Sequence, residues 1–137
     1  MSEPSDALTI AAAGLRAQSA RMRIIAENLA NASSTAREPG GDPYRRQIPV
    51  FESELDRQTG LELVRMDRVS ADQSEFNLRY EPGHPAADQE GYVRYPNVQT
   101  LIELMDMREA QRSYEANLNM VESSRAMMQR ALELLRR

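Results

Sequence analysis

The chain has 137 residues, room for one ordinary domain, with 41% hydrophobic but only 5% aromatic residues and a net charge of −4 at pH 7. No segment is basic enough to argue for nucleic acid, and two Phe, no Trp and eight Met make the apolar surface aliphatic and adaptable. The absence of cysteine removes disulfides, thiol nucleophiles and cysteine-ligated metals.

The spacing predicts a first helix from Asp6, a good N-cap, to Ala32. Its heptad rows are Leu8, Leu15, Met22, Leu29 and Ala11, Gln18, Ile25, Ala32. A third row, Ala12, Ser19, Ala26, Ser33, is all small and would let another backbone approach closely. Residues Met1 to Asp6 are acidic and no basic residue precedes the run Ala7–Leu15, so no secretory signal is expected.

A Pro/Gly-rich turn, Glu38 to Pro43, leads into short β-like runs. Tyr44–Phe51 carries Pro49 and reads as an edge strand, and Leu61–Val69 partly alternates. Glu75–Tyr80 places Phe76, Leu78 and Tyr80 on one face; Gly91–Tyr95 has Tyr92 opposite Val93, with Tyr95 back on the first face. These last two runs read as neighbouring strands joined by a long loop.

From Val98 to Arg137 there is no Gly and no Pro. One apolar row is Met107, Tyr114, Val121, Met128, Leu135; a second is Leu104, Gln111, Leu118, Arg125, Leu132. Together they predict the a/d seam of a coiled coil on a helix about 60 Å long. Gln111 and Arg125 interrupt it, either because they face solvent or because they hydrogen-bond across a subunit contact. The expected fold is mainly α: long N- and C-terminal helices (residues 1–33 and 98–137) pairing as a coiled coil, with a small β-rich insert (34–97) between them. The insert is too small to cover helices of this length, so the chain reads as a building block that packs on other chains.

Candidate chemistry is sparse. His84, the one histidine, sits in a turn with only Asp88 and Glu90 near it, and the spacing of a calcium loop is absent. Serines lack an activating histidine, and no phosphate-binding glycine motif occurs. Tyr44 precedes Arg45-Arg46, a pair best read as making salt bridges across a subunit contact.

The end of the first helix, Ala26-Glu27-Asn28-Leu29-Ala30-Asn31-Ala32-Ser33, resembles the N-terminal signature of bacterial flagellar axial proteins, the rod, hook and hook–filament junction subunits. Gly41-Asp42-Pro43-Tyr44-Arg45-Arg46-Gln47, followed by Val50-Phe51, and the run from Tyr80 to Val98 resemble the rod members of that family. Arg112-Ser113-Tyr114-Glu115-Ala116-Asn117 is similar to their C-terminal helix pattern, whereas Glu54–Val64 matches poorly. The resemblance implies a non-enzymatic subunit of the flagellar basal body, in the periplasmic rod, exported through the flagellar type III apparatus without a cleaved signal peptide. It implies helical assembly into a drive shaft that transmits torque and encloses an export channel. The partners implied are other copies of the chain, other rod proteins, and membrane-ring and export-gate proteins at the rod base. No cofactor, metal, nucleic acid or small-molecule substrate is expected. The interface residues expected on this reading are Leu8, Leu15, Met22, Ile25, Leu29, Tyr44, Arg45, Arg46, Leu104, Met107, Gln111, Tyr114, Leu118, Val121, Arg125, Met128, Leu132 and Leu135. Two rivals are a soluble coiled-coil adaptor or secretion chaperone, which would form a small closed oligomer, and a small hydrolase using His84, Asp88 and Glu90.

Overall fold

The computed structural model describes residues 3–136; Met1, Ser2 and Arg137, at the outer bounds of the expected segments 1–33 and 98–137, lie outside them. Two helices flank two small sheets in the order α1 (Pro4–Ala30), β1 (Gln47–Leu55), β2 (Glu62–Ala71), β3 (Asn77–Tyr80), β4 (Tyr92–Tyr95), α2 (Thr100–Leu135). β1 pairs with β2, and β3 with β4. The chain divides into two compact units: Met1–Met22 with Val50–Arg68 and Arg108–Arg137, and Arg23–Pro49 with Val69–Met107.

Pro4 opens α1, where its missing N–H costs nothing and its fixed φ suits the first turn. Asp6, the expected cap, lies inside that turn and complements the helix dipole, while the Glu3 carbonyl accepts from the N–H groups of Asp6 (2.9 Å) and Ala7 (3.1 Å). At the far end the Asn31 side chain donates to the Glu27 carbonyl at 2.8 Å and accepts from the Ser34 hydroxyl at 3.2 Å, diverting the chain from the helix at Ala30.

In the first unit α1 and α2 run antiparallel. A Cβ built on Gly14 would lie 2.6 Å from Asn117 Oδ1, and Arg21 pairs with Glu109 at 3.7 Å. Gly14 is therefore the close-approach point of the two helices. The small row expected for that role is displaced: Ser19, Ala26 and Ser33 are exposed, and the buried small residues are Ala11, Ala13 and Ala17. The β1–β2 hairpin turns at Asp56–Leu61, where the Asp56 N–H donates to the Leu61 carbonyl at 2.7 Å. Its solvent side carries Arg65 between Glu52, Glu54 and Asp67.

In the second unit β3 and β4 are antiparallel, with Asn77 opposite Tyr95 and Tyr80 opposite Tyr92. The two runs are neighbours, as their alternation suggested, but the faces differ from expectation. Leu78, Tyr80 and Tyr92 are exposed, and Tyr95 shares the buried face with Val93, since residues two apart on a strand point the same way. Val93, Tyr95 and Ala86 form the core of this sheet, with Ala36 and Ala87 against it. Gly91 closes the connecting loop at φ +90°, and a Cβ there would meet the Tyr80 ring at 2.8 Å; only glycine fits.

The largest correction concerns α2. Of the two rows expected to form one seam, Met107, Tyr114 and Val121 are half-buried, while Leu104, Gln111, Leu118, Arg125 and Leu132 are all exposed. The row that completes the inward face lies one residue earlier: Glu103, Ala110 and Ser124 are buried and Asn117 is half-buried. Small and polar residues fill it: in the first unit Asn117 lies against Gly14, and in the second Glu103 accepts from the Asn28 side chain. Met128 and Leu135, the end of the first row, are also exposed.

Candidate subunit interface and its internal anchor

The start of α2 is held by a buried polar cluster in the second unit. Asn28, 1% exposed, is the last inward residue of α1. Its Oδ1 accepts from the Tyr44 hydroxyl at 2.7 Å and the Gln47 N–H at 2.9 Å. Its Nδ2 donates to the Gln47 carbonyl at 2.9 Å and to Glu103 Oε2 at 3.5 Å. Glu103, also 1% exposed, accepts from Arg46 Nε in a short charge-assisted bond. The same guanidinium pairs with Asp72 at 3.3 Å and Asp106 at 3.6 Å. Asn97 completes the node: its Oδ1 accepts from the Arg46 N–H at 2.8 Å, and its Nδ2 donates to the carbonyls of Asp72 and Ser74. Every buried polar side chain among the described residues has a hydrogen-bond partner.

One guanidinium thus faces three carboxylates. Burial opposes the charge on Arg46, but its bonds to Glu103 and then Asp72 outweigh that cost and hold it above its ordinary value. The Ser74 N–H and hydroxyl, and after them Arg46, keep Asp72 below the usual carboxylate range. Burial, then the negative charges of Glu27 and Glu103, push the Tyr44 hydroxyl up.

Arg45 and Arg46, expected to make salt bridges across a subunit contact, both have partners within the chain. Arg46 is spent on Glu103, Asp72 and Asp106, and Arg45 donates to the Asp72 carbonyl at 2.8 Å while its guanidinium sits 4.2 Å from the centre of the Phe76 ring. Glu103 and Asp106, at the start of α2, are two of the three acids that bind Arg46. Asn28 was missed because it read as a helix end. The available signal was its place on the spacing Gly14, Ala17, Arg21, Ile24, Asn28.

The outward surface is of the opposite character. Leu101, Leu104 and Met105 in the second unit, and Leu118, Met120, Met127, Leu132, Leu134 and Leu135 in the first, are exposed, reaching 82% at Leu135. Among the other expected interface residues, Leu8, Leu15, Met22, Leu29 and Tyr44 are half-buried and Ile25 is buried. α2 has 36 residues against 27 in α1, and with Gly14 level with Asn117 its last turns run past the start of α1.

Other features are structural in use. His84 Nδ1 accepts from the Ala86 N–H at 3.0 Å, and Asp88 Oδ1 accepts from the N–H groups of Glu90 and Tyr92, so the three residues of the hydrolase reading form turns. A groove of about 640 Å³ in the first unit, between the middle of α1 and the β1–β2 hairpin, is floored by Ala13, Ala17, Leu63 and Met66 and rimmed by Arg16 and Glu54. Among the described residues no group of His, Asp and Glu could hold a metal ion, and no helix is long and apolar enough to cross a membrane.

The family model for the flagellar basal body rod FlgEFG protein C-terminal region matches residues 89–134, the loop before β4 and nearly all of α2. The flagellar basal-body rod protein FlgC of Agrobacterium fabrum is 48% identical over 132 residues, covering 96% of this chain and 95% of that protein. The protein of the same name from Borreliella burgdorferi is 38% identical (93% of this chain, 95% of that protein). That from Salmonella typhimurium is 39% identical (91% and 92%).

Proposed function

Since this chain belongs to the FlgC family of flagellar basal-body rod proteins and is a structural subunit of the bacterial flagellar rod, we propose that the outward apolar rows of α2 are the surface through which it assembles. The observation that carries this reading is the inversion of α2, with small and polar residues turned inward and leucine and methionine turned out. Exposed apolar area on this scale is disfavoured in a solitary chain and is removed from water by neighbours. Residues 1–33 and 98–137 are the inner, coiled-coil part of each subunit, and residues 34–97 the outer part. Leu104, Leu118 and Leu132 face adjacent copies or other rod proteins, and Gln111 and Arg125, exposed between them, set the register. Membrane-ring and export-gate proteins meet the assembly at its base. The chain works without catalysis, in the periplasmic rod, after export without a cleaved signal peptide. A shaft that bears torque needs many contacts of modest strength, and repeated helical rows supply them. The similar proteins share the rod-protein name, which gives no support to a cytoplasmic adaptor or chaperone.

The test is a Leu118→Glu substitution in cells that depend on this chain. The expected result is a protein with unchanged helical circular dichroism that fails to enter basal bodies and leaves cells non-motile. Normal incorporation and motility would overturn the reading.

A further inference from the structure

In the first unit α2 carries a second exposed apolar row besides its leucines. Met120, Met127 and Leu134 recur every seven residues, and each is more than half exposed. At 3.6 residues per turn they lie on the opposite flank of the buried Ala110 and Ser124 from Leu104 and Leu118. From 125 to 136 every residue is exposed, so these last turns bury no side chain within the chain. A helical stretch that short is marginal in water without packing.

The same unit holds a groove of matching character. Ala13 and Ala17 of α1 and Leu63 and Met66 of the β1–β2 hairpin bound about 640 Å³. That lies in the range of binding clefts, about 300–1,000 Å³, and is far larger than a packing fault. The hairpin is a two-stranded sheet, marginal in water unless a face is packed. Leu55 and Val64, which also line the groove, are exposed.

Charge and reach identify the occupant. Val50–Arg68 carries five acids against three arginines, and residues 125–136 carry three arginines against one acid, so the two attract. Unbranched methionines adapt to an irregular groove. The chain's own tail does not reach it. With Gly14 level with Asn117, Met127 and Leu134 lie about 15 and 25 Å further along a helix that has no Gly or Pro to turn it back.

We propose that the Met120–Met127–Leu134 row of one copy seats in the groove between α1 and the β1–β2 hairpin of a second copy. This rests on the reading of the outward face of α2 as an assembly surface, and it names what one part of that face meets. Row and groove belong to the same chain, so the contact is head-to-tail and repeats from copy to copy.

Cross-linking in isolated basal bodies tests this, since the chain has no native cysteine. A chain with both Val64→Cys and Leu134→Cys should give, on mild oxidation or with a short linker, a ladder of dimers, trimers and longer multimers on a denaturing gel. Either substitution alone should give no self-linked species, because a head-to-tail contact keeps like positions apart. Leu55→Cys with Met127→Cys reads the same contact if the first pair blocks incorporation. No ladder from either pair would overturn the proposal. So would dimers from a single variant, or linkage of Leu134→Cys to a different protein in place of a second copy. Leu104→Cys and Leu118→Cys separate this result from the broader reading: linkage from them without the ladder keeps the outward face as an assembly surface and removes the groove.

Discussion

The helices meet in different ways in the two units. In the first, contact is steric: Gly14 against Asn117, with Ala17, Ala110 and Ser124 buried and one ion pair, Arg21–Glu109, whose acid is exposed. In the second, contact is polar: Asn28, Glu103 and Arg46 interlock with Asn97 and Asp72, and an amide and a carboxylate, Asn28 and Glu103, are each only 1% exposed. Close approach fixes how near two helices come. A satisfied polar node fixes which residues face each other, because a slipped register strands a buried charge. In both units most of the large apolar residues of α2 are left outside, where a neighbour can use them.

The largest expected effect comes from breaking the polar node. Arg46→Ala leaves Glu103 buried without its cation and should destabilise the chain by about 3–5 kcal/mol in urea unfolding. Arg46→Met combined with Glu103→Leu should recover most of that loss, since no charge is left stranded. Asn28→Ala orphans the Gln47 backbone groups and should cost about 1–3 kcal/mol by the same measurement.

The steric contact should respond less, and its sign should reverse with its partner. Gly14→Ala forces Asn117 aside at roughly 1–3 kcal/mol, offset by the ~1 kcal/mol that alanine gains in a helix. In an Asn117→Ala background the clash is gone, and the same change should stabilise by ~1 kcal/mol. A double-mutant cycle by chemical denaturation reads both values. The smallest effect belongs to the exposed charges of the hairpin: Arg65→Ala should change stability by about 0–1 kcal/mol and less in high salt.

Acid should act on the polar unit through Asp72. Its folded carboxyl titrates below its unfolded value, so its contribution is fully present above the unfolded value and disappears as pH falls through the folded one. Asp72→Asn should flatten that limb of a stability–pH profile. A profile unchanged by the substitution would show that Asp72 is not a source of the acid sensitivity.

Much of this was legible in the residues. The Gly- and Pro-free run from Val98 gave α2, and the alternation of Phe76, Leu78 and Tyr80, followed by the run Gly91–Tyr95, gave the β3–β4 pair. The buried face of α2 was not legible, because heptad reading assigns leucine and methionine to the seam. Here Gly14 lets α1 close on Asn117, and the buried positions of α2 are Glu103, Ala110 and Ser124. A carboxylate on a helix rich in charge gives no sign of burial until its cation is located 57 residues away. The β1–β2 turn was missed since Asp56, Thr59 and Gly60 are separated by ordinary polar residues; the Thr59 hydroxyl bonds Asp56 at 2.9 Å only once the loop has closed.

The central claim is that α2 keeps one face for its own chain and offers the other to neighbours. The chain has no native cysteine, so single substitutions report cleanly. Leu104→Cys and Leu118→Cys, on the outward rows, should each form disulfide or short-linker cross-links between subunits in isolated basal bodies. Ala110→Cys, buried against α1, should form none. Inter-subunit cross-linking from Ala110→Cys, with none from Leu104→Cys or Leu118→Cys, would contradict the division of the helix into an inner and an outer face.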